Sequence, residues 1–203
     1  MKKTFYFFSV CMVALLTIVS CDLISGIKIT DQSSIDKLLR AKIEKHIDPQ
    51  SSVFEIAILT TADFSTEMDI VKVSFIASGK DEVQELNITI PGNQTPRESK
   101  VFPRMKERTP ESGIKLADID FSQIAANINK GAEMIKEENL ALDGVKSYTM
   151  AFDGNPQNTL HKFDIRSKAG TEFGDKNGRA ALVTEYYEST FSADADGNVI
   201  QIE

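Results

Sequence analysis

Apolar positions along this chain recur at helical spacing and then at strand spacing, and they do so twice. Ile35, Leu38, Leu39, Ile43 and Ile47 fall on one face of a helix, with Arg40, Lys42, Glu44 and Lys45 largely off it. Ser33, with Asp36 three residues on, matches a helix-capping arrangement, and Asp48-Pro49 stops the pattern because proline removes a backbone donor. Phe54, Ile56 and Ile58 then alternate over 53–59. Val71, Val73, Phe75 and Ala77 do the same over 71–77, and Leu86, Ile88 and Ile90 over 86–90. The first half therefore reads as a helix followed by three strands.

Periodicity vanishes over 91–118, where four of the six prolines sit (Pro91, Pro96, Pro103, Pro110), so a linker is expected there. It resumes at Asp120, which can cap a helix over 121–139 whose one side is Phe121, Ile124, Ala125, Ile128, Ala132 and Ile135. Strands follow at 145–152, 160–166, 180–193 and 198–202, separated by Asp153-Gly154-Asn155-Pro156, by the glycine-rich run 170–178 and by Asp196-Gly197. Neither face of 180–193 is cleanly apolar, as expected of a central strand or one long enough to leave its sheet. The fold class is α+β: two helix-plus-antiparallel-sheet units, αβββ over 33–90 and αββββ over 119–203, each helix laid across its own sheet. In element order this is similar to the PepSY-like and β-lactamase-inhibitor-like envelope modules, although no motif specific to those families is present.

The start of the chain is of a different kind. Lys2 and Lys3 precede an uncharged run over 4–20, the layout of a secretory signal. Ile18-Val19-Ser20-Cys21 resembles the lipobox of bacterial lipoproteins, with Ile18 in place of the commoner leucine. That resemblance covers residues 1–21 only. It implies cleavage after Ser20, acylation of Cys21, a short tether over 21–32, and a domain held at the lipid bilayer of a bacterial cell envelope. Each buried lipid CH₂ contributes roughly 0.8 kcal/mol, so several acyl chains on one cysteine suffice as an anchor. An uncleaved transmembrane helix, or a plain signal peptide with release of the domain, are the competing readings.

Composition narrows the function classes. With residues 1–20 removed, the remaining 183 can bury a real core, and 41% hydrophobic with 26% charged residues is ordinary for a folded domain. Loss of Lys2 and Lys3 takes the net charge from −7 to −9, which disfavours adhesion to nucleic acid or to anionic lipid headgroups. Cys11 lies in the leader and Cys21 takes the lipid, so no thiol is left for a disulfide or a metal.

Candidate chemistry is sparse. Set on the calcium-loop pattern, Asp194, Asp196, Asn198 and Glu203 supply oxygen ligands, but Ser192 stands where the first carboxylate belongs. Asp196-Gly197 between apolar runs is also a hairpin signal. Arg97, Lys100, Arg104, Lys106 and Arg108 outnumber Glu98 and Glu107, reverse the chain's sign locally and form a candidate docking segment for an anionic partner or phosphate headgroups, against a solvated linker as the plain alternative. His46 and His161 have no ligand-spaced partner. The acid pairs Glu137-Glu138 and Asp118 with Asp120 sit at helix ends, where acids are common without catalysis. No nucleophile elbow and no phosphate-cradling glycine loop is present, and no cofactor is expected. The expected function is non-enzymatic binding of a protein, peptide or glycan by a membrane-anchored envelope lipoprotein. The alternative is an inhibitor or immunity protein acting on an envelope enzyme or toxin, with a carboxylate-based hydrolase behind both.

Overall fold

A computed structural model describes residues 26–62, 64–170, 172–175 and 180–203; the expected leader, Cys21 and the expected tether up to Ser25 lie outside the described residues. The fold is α+β. We number its helices α1 (residues 32–44) and α2 (Ser122–Glu137). The strands are β1 (Ser52–Thr60), β2 (Met68–Ile76), β3 (Val83–Thr89), β4 (Arg97–Glu98), β5 (Ile114–Lys115), β6 (Ala141–Ala151), β7 (Leu160–Lys168), β8 (Glu172–Asp175), β9 (Ala180–Val183), β10 (Tyr186–Ala193) and β11 (Val199–Gln201).

The two expected units do not have separate sheets. One nine-stranded antiparallel sheet runs β11-β10-β7-β6-β1-β2-β3-β4, with β5 pairing the start of β1. The join is β1 with β6, where Ile56 faces Met150 and Ile58 faces Tyr148. Pairing these strands leaves neither half an unpaired inner edge. Both helices lie on the same face, touch each other and share a single core.

Helix α1 starts two residues earlier than the Ser33 cap suggests: Asp31 accepts from the Ser33 N–H at 3.1 Å and from the Ser34 hydroxyl at 2.6 Å. Its buried residues Ile35, Leu39, Ile43 and Ile47 repeat every four positions. Such a repeat drifts by about 40° per step in a 3.6-residue helix. A wider π turn at Ile35–Leu39 takes up part of that drift and keeps the four on one face. Helix α2 is anchored by Asp120, which accepts from Ser122 N–H at 2.9 Å, and closes with Asn139 in the left-handed region at φ +62°. Beneath it Tyr148, Phe163 and Phe191, side by side on β6, β7 and β10, stack at centroid distances of 5.3 and 5.4 Å. Gly131 of α2 sits directly on Phe163, where a Cβ would come within 3.0 Å of the ring.

Three local expectations change. Phe54 does not share a face with Ile56 and Ile58: a bulge between Val53 and Glu55 turns it outward, where it is buried against Ile76 and Met105. Residues 91–118 are packed on both sides of the sheet, since Met105 closes that outer cluster while Ile114 and Leu116 enter the main core. Arg40 of α1 pins the same segment, donating to the Ile119 carbonyl at 2.6 Å and stacking on Phe121 at 5.0 Å. The expected strand at 180–193 is two strands. β9 pairs with β8, which arises from the glycine-rich run, and β10 pairs with β7. The mixed polarity of that stretch reflects this departure from the sheet.

Candidate functional site

Cys21 lies outside the described residues. At the other end of the chain, the Asp194–Asn198 turn closes on itself. The Asp194 carboxylate accepts from the N–H groups of Asp196 and Asn198 at 3.0 and 2.9 Å and from the Asn198 amide at 2.8 Å. These bonds, the Asn198 amide first, hold its carboxyl below the ordinary value. Gly197 takes the φ of +74° that the turn needs, and the turn is stitched to α2 by Gln123, which donates to the Ala195 carbonyl, and by Lys130, which donates to that of Gly197. The Glu203 carbonyl instead accepts from Thr190, four residues back along β10 from Asp194 and so roughly 13 Å away. Asp194, Asp196 and Asn198 thus close a hairpin, and Glu203 lies outside that turn. No group of three acidic, histidine or cysteine side chains placed to hold a metal occurs among the described residues.

The basic segment has a geometry that its prolines concealed. Its strand β4 pairs with β3, and Met105 anchors its far end, so the stretch between them lies as a strap across the outer, helix-free face. Under the strap Glu85 is buried, accepting from Lys72 at 2.9 Å, Ser99 at 2.6 Å and Ser74 at 3.4 Å. A buried carboxylate needs this many partners, and one of them, Ser99, comes from the strap itself. Phe102 lies over the Lys72 ammonium at 4.7 Å and is 54% exposed on its other side. Arg97, Lys100, Arg104 and Lys106 point into solvent from this fixed backbone, while Arg108 is half-buried. Arg104 reaches Glu55 at 3.9 Å, a weak surface pair that leaves its side chain 76% exposed.

Beyond the strap the outer face is open. Lys162, Thr149, Ser147 and Asp164 floor it, with Asp164 bonded to Ser147 and Thr190 at 2.8 and 2.9 Å. Leu59, Leu160, Ile200 and Ile202 stand on this polar floor, each about half-exposed. The Arg166 guanidinium is held between Phe64 at 4.5 Å and Tyr186 at 5.0 Å and pairs with Asp143 at 2.6 Å. Its partners come from three distant segments, so no local spacing could have marked it.

His161, isolated in sequence, is not isolated in space. Its Nδ1 lies 2.9 Å from the Tyr148 hydroxyl, which accepts from the Asn127 amide at 3.0 Å. The Tyr148 hydroxyl and Nδ1 share one hydrogen, supplied by the hydroxyl or by the ring according to the imidazole tautomer. All three side chains are buried. Burial lowers the His161 pKa to about 4 against the opposing charges of Asp120 and Asp194, and burial raises that of Tyr148. The trio is a buried polar strut between α2 and the sheet, in which Asn127 Oδ1 and His161 Nε2 find no hydrogen-bond partner among the described residues. His46, at the end of α1, has its pKa lowered by burial and by Lys45 and Lys42. Asp120 is engaged as a cap, and Glu137 and Glu138 are exposed at the end of α2.

No family model matches the chain, and the search of curated proteins found no match. Among solved structures, the chain is similar to one described as a putative lipoprotein from Clostridium difficile 630. Identity is 11%, with 79% of this chain and 95% of that chain covered, at a TM-score of 0.38. Among the described residues no helix is long and apolar enough to cross a membrane.

Proposed function

We propose that this chain is a lipid-anchored envelope protein whose folded domain is a non-enzymatic binding module, with the open sheet face and its basic strap recognising an acidic segment of a partner protein. The observation that carries the reading is the strap itself. Four exposed cations, Arg97, Lys100, Arg104 and Lys106, stand on a backbone fixed by β4 pairing, by the buried Glu85 and by Met105. A fixed array in which exposed cations outnumber Glu98 and Glu107 loses little entropy on binding and attracts acidic groups locally, even on an acidic domain. Half-exposed Phe102, and Leu160 at the same end of the sheet, add apolar contact area. The residues best suited to acid-base chemistry, His161 and Tyr148, are locked in the core, in keeping with binding. The leader with Cys21 supplies the anchor.

The test is site-specific photo-crosslinking in cells, with the crosslinker at Lys100 on the strap or at Lys37 on the helical side. A discrete protein adduct from position 100 that is absent from position 37, and that disappears when Arg97, Arg104 and Lys106 are changed to Glu, supports the reading. Adducts that are equal at both positions, or that survive the charge reversal, refute it.

A further inference from the structure

The chain enters the fold at one end of the sheet, and we infer that this end rests on the lipid surface. The inference depends on acylation of Cys21, as proposed above. Gly26 is the first described residue, five Cα steps from Cys21, so the intervening chain spans at most about 18 Å. Ile27 and Ile29 then dock at once, the Ile27 carbonyl accepting from Met68 at 2.9 Å and Ile29 donating to the Thr66 carbonyl at 2.8 Å. Met68 begins β2, and the antiparallel register places the end of β1, the start of β6, the end of β7 and the start of β10 at this same end. The nine-residue strands make the sheet about 30 Å long, so the Asp194–Asn198 turn is held that much farther from the anchor.

The residues presented there suit a headgroup layer. Leu182, Tyr186 and Tyr187 are 66%, 56% and 43% exposed, three of the eight large apolar side chains so exposed among the described residues. Tyrosine, with an apolar ring and a polar tip, favours the depth where acyl chain meets headgroup. Lys146 and Lys168 are exposed beside them; Lys168 pairs with Asp143 at 3.4 Å, and Lys146 can extend to lipid phosphates. A cleft of about 730 Å³ between Lys136, Lys168 and Tyr186 opens at this end, where α2 finishes. Charges here are mixed, with Glu67, Asp143 and Glu185 among the lysines, so contact does not require anionic lipid. The net negative charge elsewhere is screened over roughly 8 Å at physiological salt.

The experiment uses the full processed lipoprotein in phosphatidylcholine vesicles, with and without anionic lipid. The acylated Cys21 leaves no competing thiol, so single cysteines can be labelled with a fluorophore at Leu182→Cys, at Lys146→Cys, or at Asp196→Cys in the far turn. Vesicles then carry nitroxide-labelled headgroups. The expected result is that labels at 182 and 146 lose most of their emission in both lipid mixtures while the label at 196 keeps it. Two near-end positions guard against one label disturbing the fold. Equal quenching at all three, or stronger quenching at 196, overturns the inference. Flotation of the same samples separates the two failures: protein that floats but shows no end preference refutes this orientation alone, whereas protein that does not float refutes the anchor and the orientation together.

Discussion

The sharpest energetic consequence of the fold concerns His161 and acid. Its imidazole is held neutral, with a pKa near 4 against an ordinary 6.5. A group whose folded-state pKa is depressed contributes its full stability above the unfolded value and loses it as pH falls. For His161 the window is pH 6.5 down to about 4. At about 1.4 kcal/mol per pKa unit, the loss across that window is about 3 kcal/mol. For a domain of this size, that lowers the melting midpoint by roughly 6–12 °C. Asp120 and Asp194 both face the imidazole, and their charges already oppose the shift. The lowered carboxyls of Asp31, Asp153 and Asp194 begin to lose their hydrogen bonds only near their ordinary value of 3.8, below most of this window. The assay is thermal melting by circular dichroism from pH 7 to 4.5 on the wild type and His161→Leu. The variant starts less stable, because it leaves the Tyr148 hydroxyl without its imidazole partner, yet its midpoint should fall far less with pH over this range, the remaining slope coming from His46, whose pKa is also lowered. A variant whose midpoint falls as steeply as the wild type's would refute the argument.

Three further outcomes follow from packing and charge. Gly144→Ala would place a Cβ 1.9 Å from the Phe64 carbonyl oxygen, so the β1–β2 turn must move away from β6; urea unfolding should show a loss of at least about 2 kcal/mol. Glu85→Ala strands the Lys72 ammonium under the strap and should cost about 3–5 kcal/mol by the same measurement, whereas Arg104→Ala on the surface should change stability by less than about 0.5 kcal/mol. Calcium should leave the melting midpoint unchanged, because Asp194 is committed to its own turn and Glu203 lies one strand segment away; a midpoint that rises with calcium would show a site in the folded state.

Periodicity in the sequence disclosed the elements, and long-range pairing disclosed their meaning. Ile35, Leu39 and Ile43, or Val71 and Val73, announce a helix face and a strand face because neighbours within one element decide them. The pairing of β1 with β6 joins residues about ninety positions apart, and nothing at Ile56 or Met150 marks the other as its partner. The same holds for Tyr148, Asn127 and His161, which become a cluster only once α2 crosses the sheet. In the segment 91–118 prolines silence the periodic signal, yet Met105, Ile114 and Leu116 are fully usable as core once β3 and β1 offer them a surface. Phe54 shows the opposite error: its alternation was clear, and one extra residue in the bulge reversed its face. Of the candidate site, the charges of Arg97, Lys100, Arg104 and Lys106 were legible, and the fixed platform beneath them was not.

The account turns on Cys21, and intact-mass and peptide mass spectrometry of the membrane-extracted protein tests it most directly. The predicted result is an amino-terminal residue Cys21 carrying a thioether-linked diacylglycerol, with residues 1–20 gone and the modification lost in Cys21→Ala. An unmodified thiol at that position, or a chain that still begins at Met1, would contradict the account.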